Sequence, residues 1–382
     1  MKFLLVSNLF PPHHIGGYEI ACKDTASALR DSGHECYVLT SDYTKASALD
    51  YPLSCDDLVY RELWLHCNWN TPYNLKTFIQ VQLHNAFVLN KFLEAIKPDY
   101  VYFWNIVGLG WSIASCVQEH SGVTSIYHFM DVSISIYHSP LPLLKSQASR
   151  SGIIYTNIFK YINNAIFISS FLERKIRIPS CKSAIIYPFI DQNLITKKTC
   201  YTTSTRIKGV YLGQISKHKG IFFLCETLSR MRHEFGIDLI LDVFGLIPSN
   251  VSSEILEQYS DFVFLKQNVP RDKILSILHT YDIGFFPSIW KEPFGIAQIE
   301  MMMAGLPVIS SGQGGSREVL EGNNIVFYKN LSQSSLINAT LDIINNYSTI
   351  SPEIGNAAFL HSKATYSSSN YLSCFKQFLA II

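Results

Sequence analysis

Pro287-Ser288-Ile289-Trp290-Lys291-Glu292-Pro293-Phe294-Gly295-Ile296-Ala297-Gln298-Ile299-Glu300 follows directly on the apolar run Ile283 to Phe286. The run reads as a buried strand, the proline- and glycine-bearing stretch as a loop, and the residues after Gly295 as the opening of a helix. A strand that leads through such a loop into a helix presents free backbone N–H groups and the positive end of the helix dipole at the carboxyl edge of its sheet. That is an anion site. Pro293 suits the chain just ahead of a helix, and Gly295 lets the backbone approach a ligand with no side chain in the way. Glu292 falls in the loop and Glu300 within the helix, about 12 Å apart if the rise were helical throughout. Taken alone, such a pair reads as an acid favouring the helix dipole and a solvated helix residue.

Outward from this segment, short apolar runs alternate with helical patterns, which predicts parallel strands covered by helices on both faces. In the first half the runs are Phe3 to Val6, Cys36 to Leu39, Tyr100 to Phe103, Ser125 to Tyr127, Ala165 to Ile168 and Ala184 to Tyr187. In the second they are Gly209 to Leu212, Leu239 to Phe244, Phe262 to Leu265, Ile283 to Phe286, Pro307 to Ile309 and Ile325 to Phe327. The polar, threonine-rich stretch 191–206 has no periodicity and reads as a linker. The expectation is an α/β chain with a first domain over 1–190, the linker 191–206, a second domain over 207–365 and a C-terminal helix within 366–382 that crosses back to the first domain. Leu372, Phe375, Phe378 and Leu379 give that helix its spacing.

Bulk properties agree with two domains and narrow the partners. At 382 residues the chain exceeds one ordinary core and fits two of about 150 to 200 residues. Hydrophobic residues make up 48%, charged residues 16%, and the net charge is +1, so no electrostatic field calls for nucleic acid. The nine cysteines are never closer than twelve positions, which reads as scattered reduced thiols in a cytosolic protein. Met1 to Leu9 is too short and too interrupted for a signal peptide and reads as a first buried strand. Tyr100 to Gln118 is nineteen residues without a charge, but Asn105, Gly108, Gly110, Ser112 and Ser115 break it into strand, glycine loop and helix. The aromatic-rich, low-charge composition leaves room for peripheral contact with a membrane.

A nucleotide sugar is about as long, from sugar ring to ribose, as the span between Glu292 and Glu300, so one carboxylate can meet each end with the diphosphate on the amides between. The sequence around them resembles the donor-binding core of the large retaining glycosyltransferase family four. Glu292 and Glu300 have its Glu-x7-Glu spacing, preceded by Pro287-Ser288 and followed by Met302, Ala304-Gly305, Pro307-Val308 and Gly314-Gly315-x-x-Glu318. Gly16-Gly17-Tyr18-Glu19 resembles the amino-terminal diglycine loop of the family, Gly33-His34-Glu35 its turn before the second strand, and Tyr187 to Asp191 its linker entrance. Leu212 to Gly220 resembles its Gly-Arg-x4-Lys-Gly loop.

The resemblance spans nearly the whole chain and implies the GT-B fold, two Rossmann-like doubly wound domains facing across a cleft. It also implies roles. Glu292 would bond the donor sugar's hydroxyls, Phe294, Gly295 and Ile296 would offer backbone N–H groups, and Glu300 would bind the ribose diol. Lys219 would hold the diphosphate, with Gln214 in the same loop, and Gly16 and Gly17 would meet the phosphates from the other domain. His128 occupies the place of a family histidine near the reacting sugar, with Asp131 three residues on. The implied activity is retaining, metal-independent transfer of a sugar from a nucleotide diphosphate donor to a glycan or lipid-linked acceptor in cytoplasmic surface-polysaccharide biosynthesis, with no cofactor.

Four departures stand out. Gln214 replaces the family arginine, Phe189-Ile190 replaces Asn-Gly, Gln267 replaces a glycine, and Asn323-Asn324 lacks the glycine that follows. A neutral amide donates hydrogen bonds to phosphate but brings no charge. The load then falls on Lys219, with Lys217, Arg317 and helix amides as helpers. These departures motivate an alternative, a catalytically weak or inactive partner protein of the same fold. His13 and His14 have no acidic residue spaced to complete a metal site, and no Asp-x-Asp clamp follows a strand. An oxidoreductase lacks its Gly-x-Gly-x-x-Gly after the first strand, and a sugar-nucleotide epimerase of the same two-lobe fold is a further alternative.

Overall fold

The computed structural model describes residues 1–14, 16–43, 58–65, 75–133, 158–202, 206–247, 254–267, 269–320 and 326–382. The chain forms two compact units, 1–188 with 371–382, and 189–370.

The first unit is built on β1 (Lys2–Ser7), β2 (Glu35–Ser41), β3 (Val59–Leu63), β4 (Tyr100–Phe103), β5 (Thr124–Phe129), β6 (Asn164–Phe167) and β7 (Lys182–Ile185). All pair in parallel, in the order β3-β2-β1-β4-β5-β6-β7. Helices α1 (Gly17–Asp31), α2 (Leu75–Ile96), α3 (Ser112–Gln118) and α4 (Ser170–Ile176) cross between strands. The central strands are apolar because helices cover both faces: Phe3, Leu4, Leu5 and Val6 of β1 are fully buried. The uncharged stretch 100–118 divides as its glycines predict, into β4, a turn in which Gly108 and Gly110 take positive φ, and α3. Among the described residues no helix is long and apolar enough to cross a membrane.

The second unit repeats the plan with β8 (Ile207–Leu212), β9 (Leu239–Phe244), β10 (Val263–Lys266), β11 (Ile283–Phe286), β12 (Val308–Ser310) and β13 (Val326–Phe327), parallel in the order β10-β9-β8-β11-β12-β13. Its helices are α5 (Ile221–Phe235), α6 (Glu254–Glu257), α7 (Arg271–Ile277), α8 (Ile296–Met303), α9 (Gln333–Asn345) and α10 (Tyr347–Thr365). A last helix, α11 (Ser368–Leu379), buries Tyr371, Phe375 and Phe378, and from Tyr371 onward it groups with the first unit. Both sheets carry the strand-order reversal of a doubly wound fold, between β1 and β4 and between β8 and β11.

Three features escape the apolar-run reading. Strand β3 lies at a sheet edge, half-buried and carrying Arg61 and Glu62, so no apolar run marks it. Strand β7 starts two residues before the apolar run, and its first residues are exposed, as an edge strand allows. The serine- and asparagine-rich stretch 332–370 forms α9 and α10. The buried face of α10 is Tyr347, Ser351, Gly355, Ala358 and Ser362, a row of mostly small residues that gives no hydrophobic periodicity. A Cβ on Gly355 would lie 2.2 Å from the carbonyl oxygen of Gly305, so this face packs backbone close to backbone. Asn323-Asn324, Ile325, Cys55 and Cys67 lie outside the described residues; the other cysteines are free thiols.

Candidate functional site

Strand β11 is buried along its length between β8 and β12. Pro287 ends it, because proline cannot donate to the ladder. The loop that follows is pinned at both sides. Ile289 and Trp290 donate their N–H groups to His218 O at 2.9 and 3.3 Å, Glu292 N–H donates to Gln313 O at 3.1 Å, and Gly315 N–H donates to Glu292 O at 2.7 Å. Gly314 has φ +70° and would place a Cβ 2.6 Å from Glu292 O. Glycine there is what lets the two strands of loop touch.

The carboxylate of Glu292 is almost wholly buried and fully engaged. It accepts from Lys219 Nζ at 2.8 Å on Oε1 and 3.0 Å on Oε2, and from Ser288 Oγ at 2.7 Å. Lys219 ends a single turn, Lys217 to Lys219, closed by Gly220 at φ +76°. A Cβ on Gly220 would lie 1.9 Å from Pro287 O, so the two loops meet there. The Lys219 ammonium also stands 5.2 Å from the centre of the Trp290 ring. Burial first, and then the Lys219 charge, push the His218 imidazole below its ordinary value.

Gly295 caps α8 with φ +113°, and the N–H groups of Gly295 and Ile296 bond no acceptor among the described residues. Helical rise begins only at Ile296. The Phe294 side chain is buried edge-on against Tyr366. Gln298, fully buried, accepts from Ser310 Oγ at 2.6 Å and donates to Ser316 O at 3.3 Å, fixing the first turn of the helix. Glu300, in the second turn, accepts two hydrogen bonds from Arg271. Gln214 is exposed, its carbonyl accepts from Tyr211 OH at 2.8 Å, and its amide side chain bonds nothing among the described residues. Lys217 is exposed, and Arg317 lies over the Phe327 ring. The second unit therefore gathers a lysine, two buried carboxylates and a helix amino terminus at the carboxyl ends of β8 and β11, where an anionic ligand with hydroxyls at both ends finds complementary groups.

Two family models match the chain in series. Glycosyltransferase Family 4 covers residues 15–194, and Glycosyl transferases group 1 covers 202–358. The chain belongs to the family 4, group 1 glycosyltransferases. It is 24% identical over 362 residues to an uncharacterised glycosyltransferase of Methanocaldococcus jannaschii, spanning 86% of this chain and 85% of that protein. It is 21% identical over 342 residues to an uncharacterised 42.6 kDa protein in the cps region of Klebsiella pneumoniae, spanning 84% and 87%. Among solved structures, Anabaena HepE in complex with UDP superposes with TM-score 0.75 at 17% identity over 100% of both chains. At this identity the likeness shows the GT-B fold.

In this glycosyltransferase the remaining sequence-read residues lie in the first unit. Gly16 precedes α1 in an extended conformation, its N–H bonded to Glu19 Oε2 at 3.0 Å, and Gly17 begins the helix. A Cβ on Gly16 would meet nothing within 4 Å, so neither backbone nor packing among the described residues demands glycine there. His128 is the penultimate residue of β5, 1% exposed. Its Nδ1 lies 2.6 Å from Tyr102 OH, which in turn lies 3.2 Å from Tyr371 OH, and its ring stacks on Trp104 at 4.2 Å. Its Nε2 is buried without a partner among the described residues. Burial holds the imidazole down at about 3, so the ring is neutral at pH 7. Asp131 accepts from Ser133 N–H at 2.8 Å and, with Tyr18, Trp104, Asn105 and Phe129, lines a small pocket beyond the carboxyl ends of β4 and β5.

His13 is buried, His14 Nδ1 lies 3.2 Å from Pro12 O, and no group of metal-ligating side chains occurs among the described residues. Sequence reading missed Ser288, Trp290, Gln298 and Arg271. The first three stand inside the quoted segment, whereas Arg271 sits in a charged run, Arg271-Asp272-Lys273, that resembles any solvated helix start.

Proposed function

We propose that this glycosyltransferase transfers a sugar, with retention of anomeric configuration and without a metal ion, from a nucleotide diphosphate donor to a hydroxyl of a glycan or lipid-linked acceptor. The observation that carries the reading is the Lys219 ammonium bonded to both oxygens of buried Glu292, one loop away from the unpaired N–H groups that open α8. In this reading the donor's diphosphate takes Lys219 from Glu292 and lies on the amides of Phe294, Gly295 and Ile296. Glu292, released, accepts from the sugar's hydroxyls, and Glu300 accepts from the ribose diol. Charge grows on the diphosphate as the glycosidic bond breaks, and a fixed cation with preorganised amides stabilises it. The leaving phosphate accepts the acceptor's proton at the same face. Glu292 orients the sugar and steadies positive charge; it is not assigned as a covalent nucleophile.

Gly16 and Gly17 are assigned to the phosphates and His128 to the reacting sugar on the family resemblance; the unpartnered Nε2 of His128 supports a ligand contact. UDP and UDP-glucose bound by HepE support a nucleotide sugar as donor. A cytoplasmic role in surface-polysaccharide biosynthesis, with peripheral membrane contact, rests on family analogy. The test is a thermal-shift screen of nucleoside diphosphates and their sugars, since a ligand that binds only the native state raises its stability. Proton NMR of the first-formed glycoside, with and without EDTA, follows. Inversion, or loss of activity in EDTA that magnesium restores, would remove the mechanism. Gln214, whose side-chain amide is exposed and bonds nothing among the described residues where the family has arginine, favours a second reading, a catalytically weak or inactive GT-B partner; detectable transfer or donor hydrolysis excludes the inactive form.

A further inference from the structure

Glu300 is a carboxylate whose charge would be costly in its place without a partner. It is 8% exposed, and Arg271, the first residue of α7, supplies the partner in an uneven way. Both Arg271 Nε, at 2.9 Å, and Nη2, at 2.7 Å, donate to the same oxygen, Oε1. A pair formed only for stability favours the fork-to-fork arrangement in which each carboxylate oxygen takes one N–H. Here Oε2 accepts nothing among the described residues. The guanidinium is planar and rigid, so two bonds to Oε1 fix the rotation of the carboxylate while its other oxygen is left to a ligand.

We propose that Arg271 is a positioning residue for nucleotide recognition, holding Glu300 so that Oε2 receives the hydroxyls of the ribose. The inference rests on the reading in which Glu300 meets that diol. It requires no contact between Arg271 and the nucleotide. It also accounts for a buried carboxylate, paired with a partly exposed arginine, at a helix position where an apolar residue of similar volume would pack without desolvating charge.

The test separates the diol from the rest of the nucleotide. ADP, GDP and UDP are each titrated by calorimetry beside their 2′,3′-dideoxy forms, and the tightest-binding pair is carried through Arg271→Met, Arg271→Lys and Glu300→Gln. Wild type is expected to favour the ribose form by roughly tenfold or more, the scale of hydrogen bonds to a charged acceptor. In Arg271→Met that preference should fall to about twofold or less while dideoxy affinity stays within about twofold of wild type. Arg271→Lys should recover part of the preference, since it restores charge but not the paired geometry, and it is the variant to read if Arg271→Met does not fold. A purely structural role would weaken both nucleotides alike, and an equal loss, or an unchanged ratio in the folded Arg271 variants, overturns the proposal. If Glu300→Gln keeps the full wild-type preference, the ribose assignment of Glu300 is itself wrong and the proposal falls with it. Loss of the preference in Glu300→Gln alone rejects Arg271 and leaves Glu300 standing.

Discussion

Breaking the Lys219–Glu292 pair should reveal a coupling that neither side chain shows alone. The charges lie 2.8 Å apart, with the Glu292 side chain 5% and the Lys219 side chain 25% exposed. At an effective dielectric of about 20 such a pair attracts by about 6 kcal/mol, much of it offset by desolvation of the two ions. Removing one partner of a buried pair costs about 3–5 kcal/mol. Lys219→Met should fall at or just below that range, about 2–4 kcal/mol, because Glu292 keeps its Ser288 hydroxyl bond and water reaches the lysine side of the pair. Glu292→Gln should cost less, about 1–2 kcal/mol, since the stranded ammonium is the more exposed partner and can be rehydrated. The double variant should then be less damaged than the sum by about 1–3 kcal/mol, the range found for residues in contact. Differential scanning calorimetry reads these as shifts of roughly 2–4 °C per kcal/mol for a unit of this size. Additivity of the two single changes to within about 0.5 kcal/mol would mean that the pair is not held in solution, and with it would go the exchange step in which the diphosphate takes Lys219 from Glu292.

Three further outcomes follow. Gln214→Arg should tighten nucleoside diphosphate binding by about 1.5–3 kcal/mol or less if the side chain faces phosphate; unchanged affinity in calorimetry would mean that the loop has been rebuilt around Lys219. Gly16→Ala should leave melting temperature nearly unchanged, because its Cβ meets nothing, while weakening nucleotide binding several-fold; full affinity in the alanine variant would remove Gly16 from the phosphate site. His128 has its folded value depressed to about 3 against 6.5 unfolded, so between those pH values the unfolded chain holds a proton that the folded one lacks. Its contribution is therefore complete above about 6.5 and is lost as pH falls, by about 1.4 kcal/mol per pH unit. Urea unfolding at pH 5 and pH 6 should show that slope reduced by one proton in His128→Phe, and an identical slope would place the imidazole in contact with water.

The two sheets were legible because their central strands are buried on both faces and so are written as unbroken apolar runs. Tyr100 to Phe103, Leu239 to Phe244 and Ile283 to Phe286 match their strands residue for residue. Edges and small-residue packing left no such trace. Among the described residues Val59 to Leu63 pairs only with β2 and tolerates Arg61 and Glu62, and α10 packs through the small residues Ser351, Gly355 and Ala358. At the candidate site, Gly295 was readable because a loop that opens a helix favours it, whereas Glu292, Glu300 and Lys219 were singled out only by the family resemblance, since alone they read as ordinary surface charges. What could not be read was pairing across loops. Lys219 and Glu292 lie 73 positions apart, and Arg271 and Glu300 lie 29 apart. Only the meeting of β8, β10 and β11 ends in one sheet brings those side chains into register.

The close approach of α10 to the turn after α8 has a consequence for how this protein can vary. Gly355 abuts the carbonyl of Gly305, and Gly305 stands two residues past the end of the helix that bears Glu300. Any side chain larger than hydrogen at 355 acts as a wedge against backbone, which has no rotamer with which to yield, so the displacement passes into the exit of α8. A stretch of sequence that looks like filler thus sets the seating of the helix that bears Glu300. Randomised libraries spanning 347–365 should therefore lose nucleotide binding through position 355 first, even though that glycine belongs to no motif by which donor recognition would be traced.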